Sequence, residues 1–411
     1  MWLLDTDTLE LKEFVDSSTP PYAILSHTWG GEEISFFEMQ SAREIAQVKA
    51  GFTKVVNFCG VAKARGYHYA WADTCCIDKR NSADLSEAIN SMFRYYRDAE
   101  ECLVYLSDVS AVTEDTMSRS QQLHSFRASR WFTRGWTLQE LLAPKTRTFF
   151  SVDWTPIEGE GDLVDLLAEI TSISAGLLRD RNLLSKFCTA ERMSWGSKRQ
   201  TTRSEDTAYS LIGLFNVHMP IIYGEGARNA FRRLQEEIIQ TSFDQSIFVW
   251  RGEYESSGLL AKSPSDFHDT PLLGLWGPVN LAPFTLTNVG LSIRMNVIEI
   301  KPHDRSWLPG GLDQSVHLAV VGCDVSDGET WDLLVLYLQL LPGASFYANG
   351  QFCKAYRRVK CDTWTAVPLE FLAGRTGPYH FKDLLVLEDE HFELVNRAIE
   401  DDLSRRTLIF T

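Results

Sequence analysis

The chain has 411 residues, more than one ordinary domain of ~100–200 residues holds, so two or three compact units are expected. Hydrophobic residues make up 44% and charged residues 23%, a globular balance that supplies apolar side chains for packed cores throughout. A net charge of −15 with no long Lys/Arg run lacks the basic footprint of a nucleic-acid binder, and no run approaches the ~18 apolar residues of a membrane span, which argues against both of those classes.

Eight cysteines (59, 75, 76, 102, 188, 323, 353 and 361) form no C-x-x-C pair, and several lie inside apolar strand-like runs. They read as reduced, buried thiols rather than as a disulfide framework or a zinc site. The stretch Met1 to Asp7 has neither a basic segment nor a long apolar core, so no signal peptide is expected and the cytoplasm is the expected location.

Tyr22-Ala23-Ile24-Leu25-Ser26 is a short apolar run ending in a polar, glycine-containing turn, His27 to Gly31. Phe52, Val55, Val56, Cys59 and Ala62 recur at helical spacing, and Tyr67 to Ala72 is aromatic and strand-like. A second helix is predicted to open at Asp84, with Glu87 completing a capping box, and to bury Leu85, Ile89, Met92, Tyr96 and Ala99. Cys102 to Leu106 is a third strand, residues 108–128 read as a polar loop, Trp131 to Ala143 is a helix stopped by Pro144, and Thr148 to Val152 is a fourth strand. Strands alternating with helices predict a parallel sheet covered on both faces, and such sheets gather ligands at the carboxyl ends of their strands. Here those ends carry Ser26, His27 and Trp29, then Asp73 to Asp78, then the loop before Trp136.

Helical periodicity continues through Ala208, Leu211, Ile212 and Phe215 and again through Ala227, Phe231, Leu234 and Ile238, with a loop from Pro220 to Gly226 between them. It then fades, and Phe248-Val249-Trp250, His317 to Cys323 and Leu333 to Leu340 lie as β-rich runs between turn residues. The expected organisation is an α/β domain over 1–158, a helical extension over 159–244 packed on it, and a mostly antiparallel β-rich domain over 245–411.

Three stretches, in order, resemble the signatures of fungal heterokaryon-incompatibility (HET) domains: Tyr22 to Gly30 (YAILSHTWG) followed by Glu33, Tyr69 to Asp78 (YAWADTCCID), and Arg130 to Pro144 (RWFTRGWTLQELLAP). A further family-like block runs from Ser204 to Gly213 and from Met219 to Gly226. HET domains in turn resemble TIR domains. The resemblance implies a TIR-like, flavodoxin-like parallel sheet flanked by helices in an intracellular cell-death effector of fungal innate immunity. It also implies an oligomer when active, with a protein trigger or regulator. Catalytic TIR domains place a Glu four residues after a Trp, and Trp136-Thr137-Leu138-Gln139-Glu140 has that spacing between the third and fourth strands. Two positions depart from the TIR pattern: Cys commonly stands where Thr137 is, and the first strand often ends Ser-Tyr rather than Ser26-His27.

Catalytic TIR domains cleave NAD+ between nicotinamide and ribose. Breaking that bond builds positive charge on the ribose ring, as in glycoside hydrolysis, while nicotinamide leaves neutral and needs no general acid. One carboxylate in a site drier than water is the minimum equipment. The resemblance assigns that role to Glu140, with NAD+ as substrate, no bound cofactor and no metal. Trp136, one helical turn earlier, would wall the pocket or stack on a ring. Spacing alone reads Glu140 first as a solvated helix carboxylate and Trp136 as core; the ordered signatures around them tip the reading toward function. Ser26, His27, Trp29 and Glu33 follow the first strand, where phosphates or nicotinamide would lie. Glu33 reads as a second ribose contact or a solvated loop acid, and His27 as a ligand contact or a hydrogen-bonded structural histidine. Asp73 and Asp78 tie a turn or meet ligand, and Arg134 meets a diphosphate or pairs with nearby acids. Cys75, with Cys76 and His27 on neighbouring strand ends, is a conceivable nucleophile, whereas strand cysteines are usually buried and inert. There is no P-loop, and Gly224 to Asn229 lacks the third glycine of a dinucleotide fingerprint. The competing reading is a non-catalytic module that acts by self-association and recruitment.

Overall fold

The computed structural model describes residues 1–15, 18–112, 118–158, 163–271, 273–275, 284–301, 310, 312, 314–326, 331–348, 351–368, 371, 381–389 and 391–392. Two short strands, β1 (Trp2–Asp5) and β2 (Leu11–Glu13), precede the first apolar run. That run is β3 (Tyr22–His27), buried at every position, as a strand covered on both faces must be. Then follow α1 (Phe36–Ser41), α2 (Arg43–Gln47), α3 (Ala50–Ala64), β4 (Tyr69–Trp71), α4 (Ser82–Asp98), β5 (Glu101–Tyr105), α5 (Arg119–Arg127), α6 (Thr137–Leu142) and β6 (Arg147–Phe150).

The strand order is β2-β1-β4-β3-β5-β6. β4, β3, β5 and β6 pair in parallel, while β1 is antiparallel to β4 and to β2. The expected four parallel strands are all present, but the sheet is mixed, because the N-terminal hairpin adds an antiparallel edge too short to register as periodicity. Ile24, Leu25, Trp71, Leu103 and Val104 form its fully buried centre. β3 and β5 are in register to their last residues, Ser26 against Val104 and His27 against Tyr105, so their ends open at one level.

Several local expectations are corrected. α4 is capped by Asn81, whose side chain accepts the Ala83 N–H at 3.0 Å, so Asp84 lies in the first turn and is not the cap. Residues 119–127 are helical where a loop was expected: Ser118 and Gln121 form a capping box, and only Gln122 and Phe126 are buried, too few to show an apolar face in the sequence. The helix expected from Trp131 to Ala143 is interrupted. A 3-10 turn over Arg130–Thr133 gives way to extended Arg134 before α6 begins. The cause is tertiary. Gln200 N donates to Thr133 O at 2.6 Å and Gly135 N donates to Gln200 O at 2.8 Å, so the backbone pairs outward instead of continuing the helix.

Further helices are α7 (Leu163–Thr171), α8 (Ala175–Arg179), α9 (Thr189–Ser194), α10 (Asp206–Tyr209), α11 (Ile212–Phe215) and α12 (Ala227–Thr241). The chain divides into two units, residues 1–186 with 198–230 and residues 187–197 with 231–411. The expected helical extension over 159–244 is therefore shared, with α9 and most of α12 in the second unit. Within the first unit, Arg181 Nη1 donates to Ala143 O and Arg97 O, both at 2.7 Å, and Asn90 exchanges two hydrogen bonds with the Met219 backbone.

In the second unit, the expected strand at Phe248–Trp250 is instead the end of a 3-10 turn, Gln245–Phe248, and the segment after it. Its carbonyls are claimed by a side chain, since the buried Arg358 guanidinium donates to Phe248 O at 3.0 Å and Trp250 O at 2.6 Å. The strands are β7 (Ser256–Ser257), β8 (Gly274–Leu275), β9 (Thr285–Leu286), β10 (Gly290–Glu299), β11 (Val316–Ser326), β12 (Trp331–Ala348), β13 (Gln351–Val359), β14 (Thr365–Pro368) and β15 (Phe381–Leu387). They run β14-β12-β11-β10-β15-β13-β7, and an added β12–β13 pairing closes five of them into a ring. Every pair is antiparallel except β13 with β15, in keeping with the mostly antiparallel domain expected. All eight cysteines are buried and free, and among the described residues no helix is long and apolar enough to cross a membrane.

Gly213 in α11 is where the helical stretch meets α4 and α6. A methyl group there would overlap Phe93 Cβ and sit 2.5 Å from Gln139 Oε1. Gly213→Ala is expected to cost about 1–3 kcal/mol through overpacking, read as a lower midpoint of urea unfolding; an unchanged midpoint would show that this contact relaxes freely.

Candidate functional site

α6 has no solvent face. All six of its residues are buried, including Gln139 and Glu140, and a buried polar group costs stability unless the fold supplies its hydrogen bonds. Gln139 Nε2 donates to Ser210 O at 2.7 Å. Glu140, 7% exposed, takes a hydrogen bond from Ser26 Oγ at the end of β3, and that hydroxyl accepts one from the Trp131 indole at 2.8 Å. The Tyr96 hydroxyl, which donates to Leu25 O at 2.9 Å, lies beside the same carboxyl. Burial pushes Glu140 up to about 8; Ser26, Arg134 and Tyr96 oppose the rise and the Asp73 charge adds to it.

A second cluster stands at the same strand ends. Glu33 Oε1 accepts from Gly30 N at 2.6 Å and from Lys54 Nζ at 2.5 Å, and lies 3.8 Å from His27 Nε2. Burial holds the His27 imidazole well below its usual value, and the charges of Lys54, Lys79 and Arg134 push the same way, so the ring is neutral near pH 7. The Trp29 indole, 44% exposed, donates to Asp73 Oδ2 at 2.9 Å, and the Lys79 ammonium sits 3.8 Å over its ring. Burial raises the Asp73 carboxyl above its ordinary value, against the Lys79 charge and the Trp29 hydrogen bond. Asp73 thus ties the β3 and β4 loops together, while Asp78 ties its own turn through Arg80 at 3.2 Å.

The structure brings Ser26, His27, Trp29, Glu33, Asp73 and Glu140 to one end of the sheet, with the Arg134 charge bearing on both Glu140 and His27. Trp136 is engaged elsewhere: its indole donates to Asp206 Oδ2 at 3.1 Å, and Asp206 Oδ1 accepts from the Tyr223 hydroxyl at 2.9 Å. Cys75 is wholly buried after β4, as an inert thiol would be. Sequence reasoning passed over Lys54, Lys79, Tyr96, Trp131 and Arg199. Arg199 Nη1 reaches Arg134 O and Thr137 Oγ1, both at 2.9 Å, and its charge bears on Glu140. Trp131 stands inside the third signature, so its signal was present. Lys54 and Arg199 lie far along the chain in segments with no motif of their own. Together these groups form a dry, hydrogen-bonded carboxyl beside a mixed-charge rim, equipped to stabilise positive charge developing on a bound group.

A carboxyl that holds its proton more tightly in the folded state contributes stability below its ordinary value near 4.3 and loses it as pH rises toward about 8. Between pH 5 and 8, Glu140→Gln is therefore expected to gain about 1–4 kcal/mol relative to the unmodified chain, at ~1.4 kcal/mol per pH unit less relaxation. Urea titrations of both proteins across that range check it; a stability difference that does not change with pH would place Glu140 in a wetter setting.

The family described as heterokaryon incompatibility protein (HET) matches residues 22–126, and a domain of unknown function (DUF8212) matches residues 229–273. Vegetative incompatibility protein HET-E-1 of Podospora anserina is 47% identical over 230 residues, which is 55% of this chain and 17% of that protein. The chain thus spans about a sixth of the length of this curated relative. No solved structure matches. Residues 22–126 are thus similar to heterokaryon incompatibility domains, and over 230 residues the chain is similar to a fungal incompatibility protein.

Proposed function

We propose that this chain is a cytoplasmic effector of heterokaryon incompatibility and programmed cell death whose first unit is TIR-like and hydrolyses NAD+ to nicotinamide and ADP-ribose. The observation that carries the reading is the placement of Glu140, buried on Ser26 at the carboxyl end of β3. The four parallel strands run second-first-third-fourth, the order of flavodoxin-like sheets, and ligands in such sheets bind where the order reverses, here at the adjoining ends of β3 and β5. The name of the incompatibility relative supports the biological role.

In the free protein the Glu140 carboxyl is protonated at neutral pH, since its value lies at about 8. NAD+ brings a pyridinium cation, and its cleavage leaves an oxocarbenium-like ribose. A positive group at 4–6 Å favours the carboxylate, so substrate arrival itself ionises Glu140, and the ion then stabilises the charge that bond breaking creates. Ser26 holds the carboxyl in place by donating to it, and water completes the hydrolysis at the ribose carbon. The deep burial of Glu140 also favours a second reading, a signalling module that works through self-association and recruitment, in which Glu140 only ties α6 to β3.

The test is to follow free nicotinamide from NAD+ with the full chain, both dilute and tethered at high density, because a site completed by a neighbouring copy is silent in the monomer. Glu140→Gln is expected to lower release by at least ~100-fold, the scale of losing one preorganised electrostatic group, while remaining folded. Equal turnover in the two proteins removes Glu140 from the chemistry, and killing of cells by the Gln variant selects the second reading.

A further inference from the structure

Among the buried polar atoms of the first unit, His27 Nε2 and Glu33 Oε2 have no hydrogen-bond partner among the described residues, and Thr74 Oγ1, just past the neighbouring strand β4, shares that condition. The His27 side chain is only 1% exposed and the Glu33 side chain 14%, with Glu33 Oε1 standing 3.8 Å from His27 Nε2. Buried groups left in this state cost stability, and native folds satisfy the great majority of them. Two unpartnered atoms on side chains that approach to 3.8 Å, at the carboxyl end of a parallel sheet, describe a seat and not a packing accident.

The chemistry of the pair selects its occupant. The second oxygen of the Glu33 carboxylate accepts and cannot donate, so its partner must carry an O–H or N–H. The neutral His27 nitrogen is a donor in one tautomer and an acceptor in the other, and a hydroxyl satisfies either. Phosphate is disfavoured by the carboxylate, and a cation is disfavoured because Lys54 already pairs with Glu33 at 2.5 Å. Two neighbouring hydroxyls on one ring would meet both atoms together.

We infer that His27 and Glu33 form a recognition site for the vicinal hydroxyls of a ribose. This deepens the reading of the first unit as a nucleotide-processing domain and rests on it, but it concerns binding and not bond cleavage. Glu33 accepts from one hydroxyl, and His27 Nε2 exchanges a hydrogen bond with its neighbour. Neither orphaned atom reaches solvent, so the sugar enters as the loop over residues 28–35, which carries Glu33, lifts away, and Glu33 grips it on return. The site thereby requires a free 2′-hydroxyl and turns away sugars that lack it, because a missing hydroxyl leaves the two atoms unpaired again.

The experiment uses two probes that carry no scissile glycosidic bond to nicotinamide, ribose 5-phosphate and 2-deoxyribose 5-phosphate, titrated against the full chain by ligand-observed NMR. The unmodified protein is expected to bind the ribose at least tenfold more tightly than the deoxyribose, and Glu33→Gln is expected to erase the preference by weakening only the ribose. Equal binding of the two sugars, binding of neither, or a preference retained in Glu33→Gln overturns the inference; a cavity kept for water alone gives the second of these. If the variant fails to fold, the comparison of the two sugars on the unmodified chain decides by itself. A ribose preference without nicotinamide release sinks only the hydrolytic reading, and Glu140-dependent release without a preference sinks only this one.

Discussion

A carboxylic acid enters a protein interior only where other groups replace the hydrogen bonds it had in water, and even then its charged form is penalised. Glu140 meets this condition through Ser26, and Ser26 meets it only because Trp131 donates to the same hydroxyl. That three-residue contact links the end of β3, the 3-10 turn over Arg130–Thr133 and α6. It brings together the first and third family-like stretches of the sequence, 105 residues apart between Ser26 and Trp131. The placement of α6 against the end of β3 follows from it, whereas the proton held on Glu140 comes from burial, which the Ser26 hydrogen bond opposes.

A helix with no exposed face cannot hold itself in place by amphipathic packing, and α6 is held by bonds to its ends and polar side chains instead. Gln200 pairs with the backbone on either side of Arg134, Arg199 closes on Arg134 O and Thr137, Asp206 takes the Trp136 indole, and Ser210 O takes Gln139. The segment 198–213 is therefore a brace for α6. Glu205 stiffens it in turn, since its carboxylate accepts from Gly224 N at 2.8 Å and Gly226 N at 3.1 Å. The family-like block downstream of the sheet has a mechanical reason to accompany the upstream stretches.

The closed ring of strands in the second unit solves a different problem. A long strand such as β12 would present an open edge to other chains, and pairing it with β11 on one side and with β14 and β13 on the other leaves little of it unpaired. The buried Arg358 then fastens the segment around Phe248 and Trp250 to that sheet. The chain passes between the two units three times, after residues 186, 197 and 230, which a reading by composition does not detect because no turn-rich linker marks any of the crossings.

The parallel strands β3 to β6, helices α3 and α4, the burial of the cysteines and the β character of the C-terminal region were legible from the sequence alone, because each rests on a local apolar pattern of period 2 or 3.6 that burial enforces. The strand ends named as ligand-facing also converge, since a parallel alternating sheet puts all its carboxyl ends on one side. What escaped were features whose causes lie far off in the chain. α5 is too polar to show a face; the helix at Trp131 breaks because Gln200 arrives to pair with it; Asn81 displaces Asp84 as a cap. Trp136 binds Asp206, and Lys54 and Arg199 reach the site from segments without a motif. Periodicity records which side of an element meets the core, whereas the partner of a single polar group is set by tertiary approach, and only the folded chain decides it.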